Sequence, residues 1–328
     1  MNRSAIIFCA AILSSLSVHA AQEPKSRTMD AVYTASLKDI PAGLKELRVW
    51  VPIPATSGHQ TVSPPVVESD LRWTAGRENA FGDRFIYTTI KNPPGGEMKV
   101  SVRFRATREE ATLASLKVAS LTKAERQREL QPNRLVTLSP RIRKLADEIT
   151  RGKKQPLDQA RAIYDYLVTS MVYDKVKPGW GQGDSERACD VKAGNCTDFH
   201  SLFMSLARAK GIPTRFVIGF PVPAKESGVV TGYHCWAEFF VEGKGWIPVD
   251  ASEASKSSDP AVRAYLFGNL DPDRIAFTTG RDIVLNPQTA EPLNYFIYPY
   301  AEAGGERVGV PSIELKFETV TRTTASGR

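Results

Sequence analysis

At 328 residues, 42% hydrophobic and 24% charged, the chain has an ordinary globular composition and the length to bury a large core in two domains. The net charge of +7 would suit an anionic cell-envelope polymer, but the basic residues are scattered rather than clustered, so no nucleic-acid partner is expected. There is no Gly-rich phosphate loop, dinucleotide fingerprint or EF-hand pattern, so neither a nucleotide nor obligatory calcium is expected, nor any other cofactor.

Residues 1–20 read as a secretory signal, with Arg3 as the charged region, a short apolar run over 5–16 and small residues around Ala20. The run is too short to span a bilayer, and no later stretch approaches transmembrane length. Cys9 lies too early in the run to anchor a lipid after cleavage. A periplasmic or secreted protein without stable membrane insertion is therefore expected. That compartment permits disulfides, and the mature chain keeps Cys189, Cys196 and Cys235. An odd count suggests one pair and one free thiol; Cys196 is the candidate for the free one. A Cys189–Cys235 bridge and a plain buried Cys235 are both open.

Residues 27–110 alternate in polarity over 45–51, 84–90 and 98–104, with turn signals such as Pro93-Pro94-Gly95-Gly96 between them. This pattern predicts an immunoglobulin-like β-sandwich with no visible catalytic feature. From Ala111 to the C-terminus a second domain is expected. Ser139 and Pro140 open a helix carrying Ile142, Leu145 and Ile149, and Ala160, Ile163, Tyr164, Leu167 and Val168 mark another. A glycine-rich loop around Gly179 and Gly181 then leads to Cys196.

Phe199, Leu202, Phe203 and Leu206 continue a helical stripe that begins at Cys196, with Asn195 as the N-cap and Asp198 at N3. A thiol at a helix N-terminus has its anion favoured and amide donors close by. Gly211 and Pro213 end this helix. Residues 215–220 and 233–240 then read as strands. The turn Glu242-Gly243-Lys244-Gly245 folds the second back onto 246–250, placing His234 and Asp250 on neighbouring strands of one hairpin. For those side chains to share a face, the turn must hold three or five residues; a two-residue turn gives the wrong parity.

The blocks GNCTDFHSLFMSLARAKGIPTRFVIGF, GYHCWAEFF and GWIPVDAS resemble the cysteine helix, histidine strand and aspartate strand of the transglutaminase-like superfamily. The tail, with Arg281 and Tyr295, resembles exported bacterial members more loosely. The resemblance implies an α+β fold, in which the N-terminal β-sandwich precedes a papain/transglutaminase-like core of helices packed on an antiparallel sheet. It also implies Cys196 as nucleophile, His234 as base and Asp250 as the group orienting the imidazole. The oxyanion would be held by the Cys196 amide and an upstream donor, Tyr173 or Trp180.

His200, four residues beyond Cys196, is a rival base but lacks an evident carboxylate partner in the sequence. A zinc-like site of Cys189, Cys196, His234 and Cys235 is the other chemical reading; the ligand spacing argues against it, and no metal is expected. The expected activity is cysteine-dependent acyl transfer on peptide or protein amides through a thioester. Water is favoured over an amine as acceptor, because no feature is dedicated to an amine site. Glutamine–amine cross-linking and a non-catalytic scaffold on the same fold are the alternatives.

Overall fold

The computed structural model describes residues 25–323; the signal expected over 1–20 lies outside them. Seven strands open the chain: β1 (Ser26–Ile40), β2 (Glu46–Ile53), β3 (Gln60–Val62), β4 (Val66–Glu68), β5 (Thr74–Arg77), β6 (Arg84–Lys91) and β7 (Gly96–Glu109). In β1 the side chains of Met29, Ala31, Tyr33, Ala35 and Leu37 are buried while their neighbours are less so, as a half-buried strand requires. Three helices follow, α1 (Lys123–Leu130), α2 (Pro140–Ile149) and α3 (Pro156–Ser170). The expected Ser139 cap is present, its hydroxyl accepting from the Ile142 amide at 3.2 Å.

The chain then passes through β8 (Val172–Tyr173), α4 (Ser185–Val191) and β9 (Ala193–Gly194) into α5 (Cys196–Ala209). Beyond it come β10 (Thr214–Pro221), β11 (Ser227–Val230), β12 (His234–Val241), β13 (Gly245–Val249), α6 (Ala251–Lys256), α7 (Pro260–Tyr265) and β14 (Arg274–Thr279). The tail adds β15 (Tyr300–Ala303), β16 (Glu306–Arg307) and β17 (Val310–Thr323). An antiparallel sheet in the order β13-β12-β10-β14 carries α5 against β12 and β10. Every residue from Cys196 to Arg208 is buried, so α5 is a central helix enclosed on all sides rather than an amphipathic one.

The sandwich consists of two sheets, ordered β11-β17-β1-β7-β3 (with β4 also on β7) and β16-β15-β2-β6-β5. Its two sheets draw strands from both sides of residue 110. The tail strand β17 pairs with β1 along nearly its whole length, β15 pairs with β2, and β11, from the segment between β10 and β12, extends the sheet beyond β17. Without these additions, the long edges of β1 and β2 would present unpaired amides and carbonyls. The two regions also share one core. Phe220 of β10 and Phe277 of β14 meet Tyr33 of β1 at ring separations of 5.8 and 5.0 Å, and Phe277 meets Phe104 of β7 at 6.0 Å. The helix α4 lies in what the sequence reading left as a glycine-rich loop; at seven residues it is too short for a periodic signal.

Candidate active site

Cys196 is the first residue of α5. The Asn195 side chain accepts from the Thr197 amide at 2.9 Å, and Asp198 reaches back to the Asn195 amide at 2.9 Å, closing the capping box expected from the sequence. Asp198 also accepts from the amides of Gly181 at 2.7 Å and Gly183 at 3.1 Å, so one carboxylate holds both the helix start and the loop before it. Arg281 secures that loop from the other side. Its buried guanidinium donates to Ser201 of α5, to the Gln182 and Gly183 carbonyls and to Asn294. The Cys196 amide belongs to the first turn, whose N–H groups have no acceptor within the helix.

The hairpin supplies the partners. Pairing of Val241 with Gly245 leaves a three-residue turn, Glu242-Gly243-Lys244, so the register condition for His234 and Asp250 is met. His234 Nε2 donates to Asp250 Oδ2 at 2.7 Å, so Nδ1 is the ring nitrogen left to act on the Cys196 side, with Glu253 Oε1 3.9 Å from it. Asp250 caps α6, accepting from the Glu253 amide at 3.1 Å and the Ser252 hydroxyl at 3.0 Å. Arg274 Nη1 donates to it as well, at 3.1 Å, and is itself held by Asp271 at 2.8 Å. The sequence reading missed Arg274; the available signal was a charge opening the largely apolar strand Arg274-Ile275-Ala276-Phe277.

These contacts set the ionisation. Burial pushes the Cys196 thiol up, but hydrogen bonds with Cys235 and His234 and the charge of His234 together draw it well below the ordinary thiol range. Burial disfavours the His234 cation, yet Asp250 and the Cys196 anion raise it to about 10. Asp250, although buried, is held well below the usual carboxylate range by His234 and Arg274. The arrangement therefore favours a thiolate–imidazolium pair at neutral pH.

His200 does have a carboxylate nearby, contrary to the sequence reading: its Nε2 lies 3.7 Å from Asp250 Oδ1, too far for a hydrogen bond. It lies under the site, and burial lowers it towards the neutral form. The bridge considered between Cys189 and Cys235 is absent, and all three cysteines among the described residues are free. Cys235 Sγ packs on α5 instead, 3.8 Å from both Thr197 Oγ1 and His200 Nδ1. Cys189 lies beside Arg141 of α2, so the four residues weighed as zinc ligands do not converge.

Of the two upstream aromatics, Tyr173 is close enough to feel the Cys196 charge, with Lys256 Nζ over its ring at 3.8 Å. Trp180 is 38% exposed on the loop. Two clefts flank the centre. One of about 890 Å³ is bordered by His234, Glu253, Lys256 and Pro221. The other, of about 610 Å³, is bordered by Tyr295, Tyr298, Gln182 and Asn294.

The family model of the transglutaminase-like superfamily matches residues 143–251, which contain all three side chains. An uncharacterized protein of Haemophilus influenzae is 28% identical over 325 residues, covering 86% of this chain and 88% of its own length. A protein-glutamine gamma-glutamyltransferase of Pseudomonas aeruginosa is 29% identical over 120 residues, but that match spans 34% of this chain and 18% of the relative. The crystal structure of a candidate cysteine protease from Cytophaga hutchinsonii covers 94% of this chain and 95% of its own with a TM-score of 0.61; at 15% identity it shares the fold.

Proposed function

Residues 143–251 form a transglutaminase-like core, and from this premise we propose that the protein is a cysteine-dependent enzyme that cleaves amides in peptide or protein substrates through a thioester. The observation that carries the proposal is the depressed Cys196 thiol at the start of α5, beside a His234 whose far nitrogen is bonded to Asp250.

In this reading the Cys196 thiolate attacks the substrate carbonyl carbon, and the resulting oxyanion is held by the Cys196 amide. His234 Nδ1–H protonates the leaving amine as the C–N bond breaks, giving the thioester. His234 then takes a proton from water, the hydroxide adds to the thioester, and the carboxylic acid leaves as the thiolate is restored. Asp250 stays ionised and holds the ring. Water is favoured as acceptor because His234 borders an open cleft and water is far more concentrated than any amine. Amine transfer is the second reading, supported by the name of the Pseudomonas relative. The signal-like segment 1–20 supports export as part of the proposal, and among the described residues no helix is long and apolar enough to cross a membrane.

Incubation with a glutamine-containing peptide library, with and without a primary amine, tests the reading by product mass. Backbone cleavage or deamidated glutamine is expected. Amine-adducted glutamine dominating at low millimolar amine would replace hydrolysis by cross-linking, and no Cys196-dependent product would overturn the enzyme itself.

A further inference from the structure

Arg108, near the end of β7, is 4% exposed and has no counter-ion in contact among the described residues. Its Nε is buried without a hydrogen-bond partner, and no side-chain hydrogen bond offsets the burial of the cation. Arg274 repels it, while Glu238 and Asp271 attract it only at a distance. Both of those carboxylates are already engaged, Glu238 by Arg215 Nε at 2.6 Å and Asp271 by Arg274 at 2.8 Å. A buried, unpaired guanidinium is among the costliest groups a fold can retain.

Arg108 forms part of the wall of two cavities where the sandwich meets the helix-bearing sheet, one of about 280 Å³ and one of about 230 Å³. The acidic groups around the larger are otherwise occupied. Glu129 pairs with Arg128 at 3.0 Å, Glu125 closes the Thr122 cap at 2.8 Å, and Asp83 accepts from the Thr279 amide at 2.8 Å. Burial pushes the Asp83 carboxyl well up, which favours its neutral form, and its Oδ2 has no hydrogen-bond partner among the described residues. Trp236 Nε1 is a further buried donor without a partner in the same wall. Lys117 and His59 border the smaller cavity. The unfilled valences around Arg108 are thus those of a cation and hydrogen-bond donors, in spaces below the range of about 300–1,000 Å³ typical of drug-sized ligands.

We propose that this junction binds a small oxyanion, a carboxylate or a phosphate, seated on the Arg108 fork. A guanidinium presents two parallel N–H donors that match either group. The Trp236 ring lies 5.7 Å from the guanidinium carbon of Arg108 and 5.2 Å from that of Arg274, which in turn holds Asp250.

The test is calorimetric titration of the whole protein with phosphate and, separately, with succinate, against chloride at matched ionic strength. Saturable binding of at least one oxyanion is expected, with a tryptophan fluorescence change at the same concentrations because Trp236 and Trp246 stand in the walls. Whichever binds identifies the source of the oxyanion, and no saturable heat from either overturns the proposal whatever the variants do. At about tenfold excess over Kd, the wild-type Tm should rise by about 2 °C. Arg108→Met should show no such rise and should be at least as stable as wild type in anion-free buffer. An equal rise in the variant would place the anion elsewhere and overturn the assignment.

Discussion

The depressed Cys196 thiol is set by groups on different elements: the cap of its own helix, His234 and Cys235 on β12, and Asp250 beyond β13. We expect it to alkylate far faster than Cys189 or Cys235, with a pH midpoint clearly below the ordinary thiol value of about 8.5. His234→Ala should return the midpoint to that value and lower turnover by about 10²–10⁴-fold; a wild-type midpoint near 8.5 would remove Cys196 as nucleophile. Asp250→Ala should cost about 3–5 kcal/mol, because it leaves Arg274 and His234 buried beside a missing charge. The pH dependence follows from the shifts. His234 is raised, so its contribution is complete below the unfolded value of about 6.5 and is lost as pH rises through about 10. Asp250 is depressed, so its contribution is present above about 3.9 and is lost as pH falls through the folded value. The stability gap between wild type and Asp250→Ala, measured by denaturant unfolding, should therefore be widest at intermediate pH and narrow at both extremes. A gap independent of pH would contradict the charge assignment.

At the scale of elements, the site depends on where β10 holds β12. Gly219 pairs with His234 across these strands, and a methyl group at Gly219 would collide with the Ile275 carbonyl of β14. Gly219→Ala should therefore separate β10 from β14 and displace His234. Loss of activity should accompany a fall of several degrees in Tm, whereas unchanged kinetics would show that β12 holds its place without this pairing. The helix α5 behaves differently. Its capping box was readable because Asn195 and Asp198 stand at fixed offsets from Cys196. Its burial on all sides was not, because Ser201, Ser205 and Arg208 look like a solvent face until Arg281, Gln131 and Thr214 are brought to that side by the fold.

For the whole molecule, the consequential contact is β17 on β1. Ending the chain before Val310 would remove the partner of both β1 and β11, exposing a long edge with inward-facing Tyr33 and Leu37 beside it. Such a truncation should aggregate or lose cooperative unfolding. A soluble, active truncated protein would show instead that residues 111–309 do not need the completed sandwich.

Local pattern sufficed wherever the physics is local. Alternating polarity marked β2, β6 and β7, Ser139 marked the start of α2, and a cysteine, a histidine and an aspartate at helix and strand positions nominated Cys196, His234 and Asp250 within one compact stretch. The turn length of the hairpin stayed open in sequence because two glycines permit several registers, and only pairing of Val241 with Gly245 chose among them. Tertiary structure alone brought Arg274 to Asp250, Cys235 to Cys196 rather than Cys189, and the tail strands to the N-terminal sheets. Each of these joins groups that are distant in sequence or turned by a strand's facing, so no short-range periodicity carries them. They are decided by which buried charges and open strand edges can satisfy one another once the core has closed.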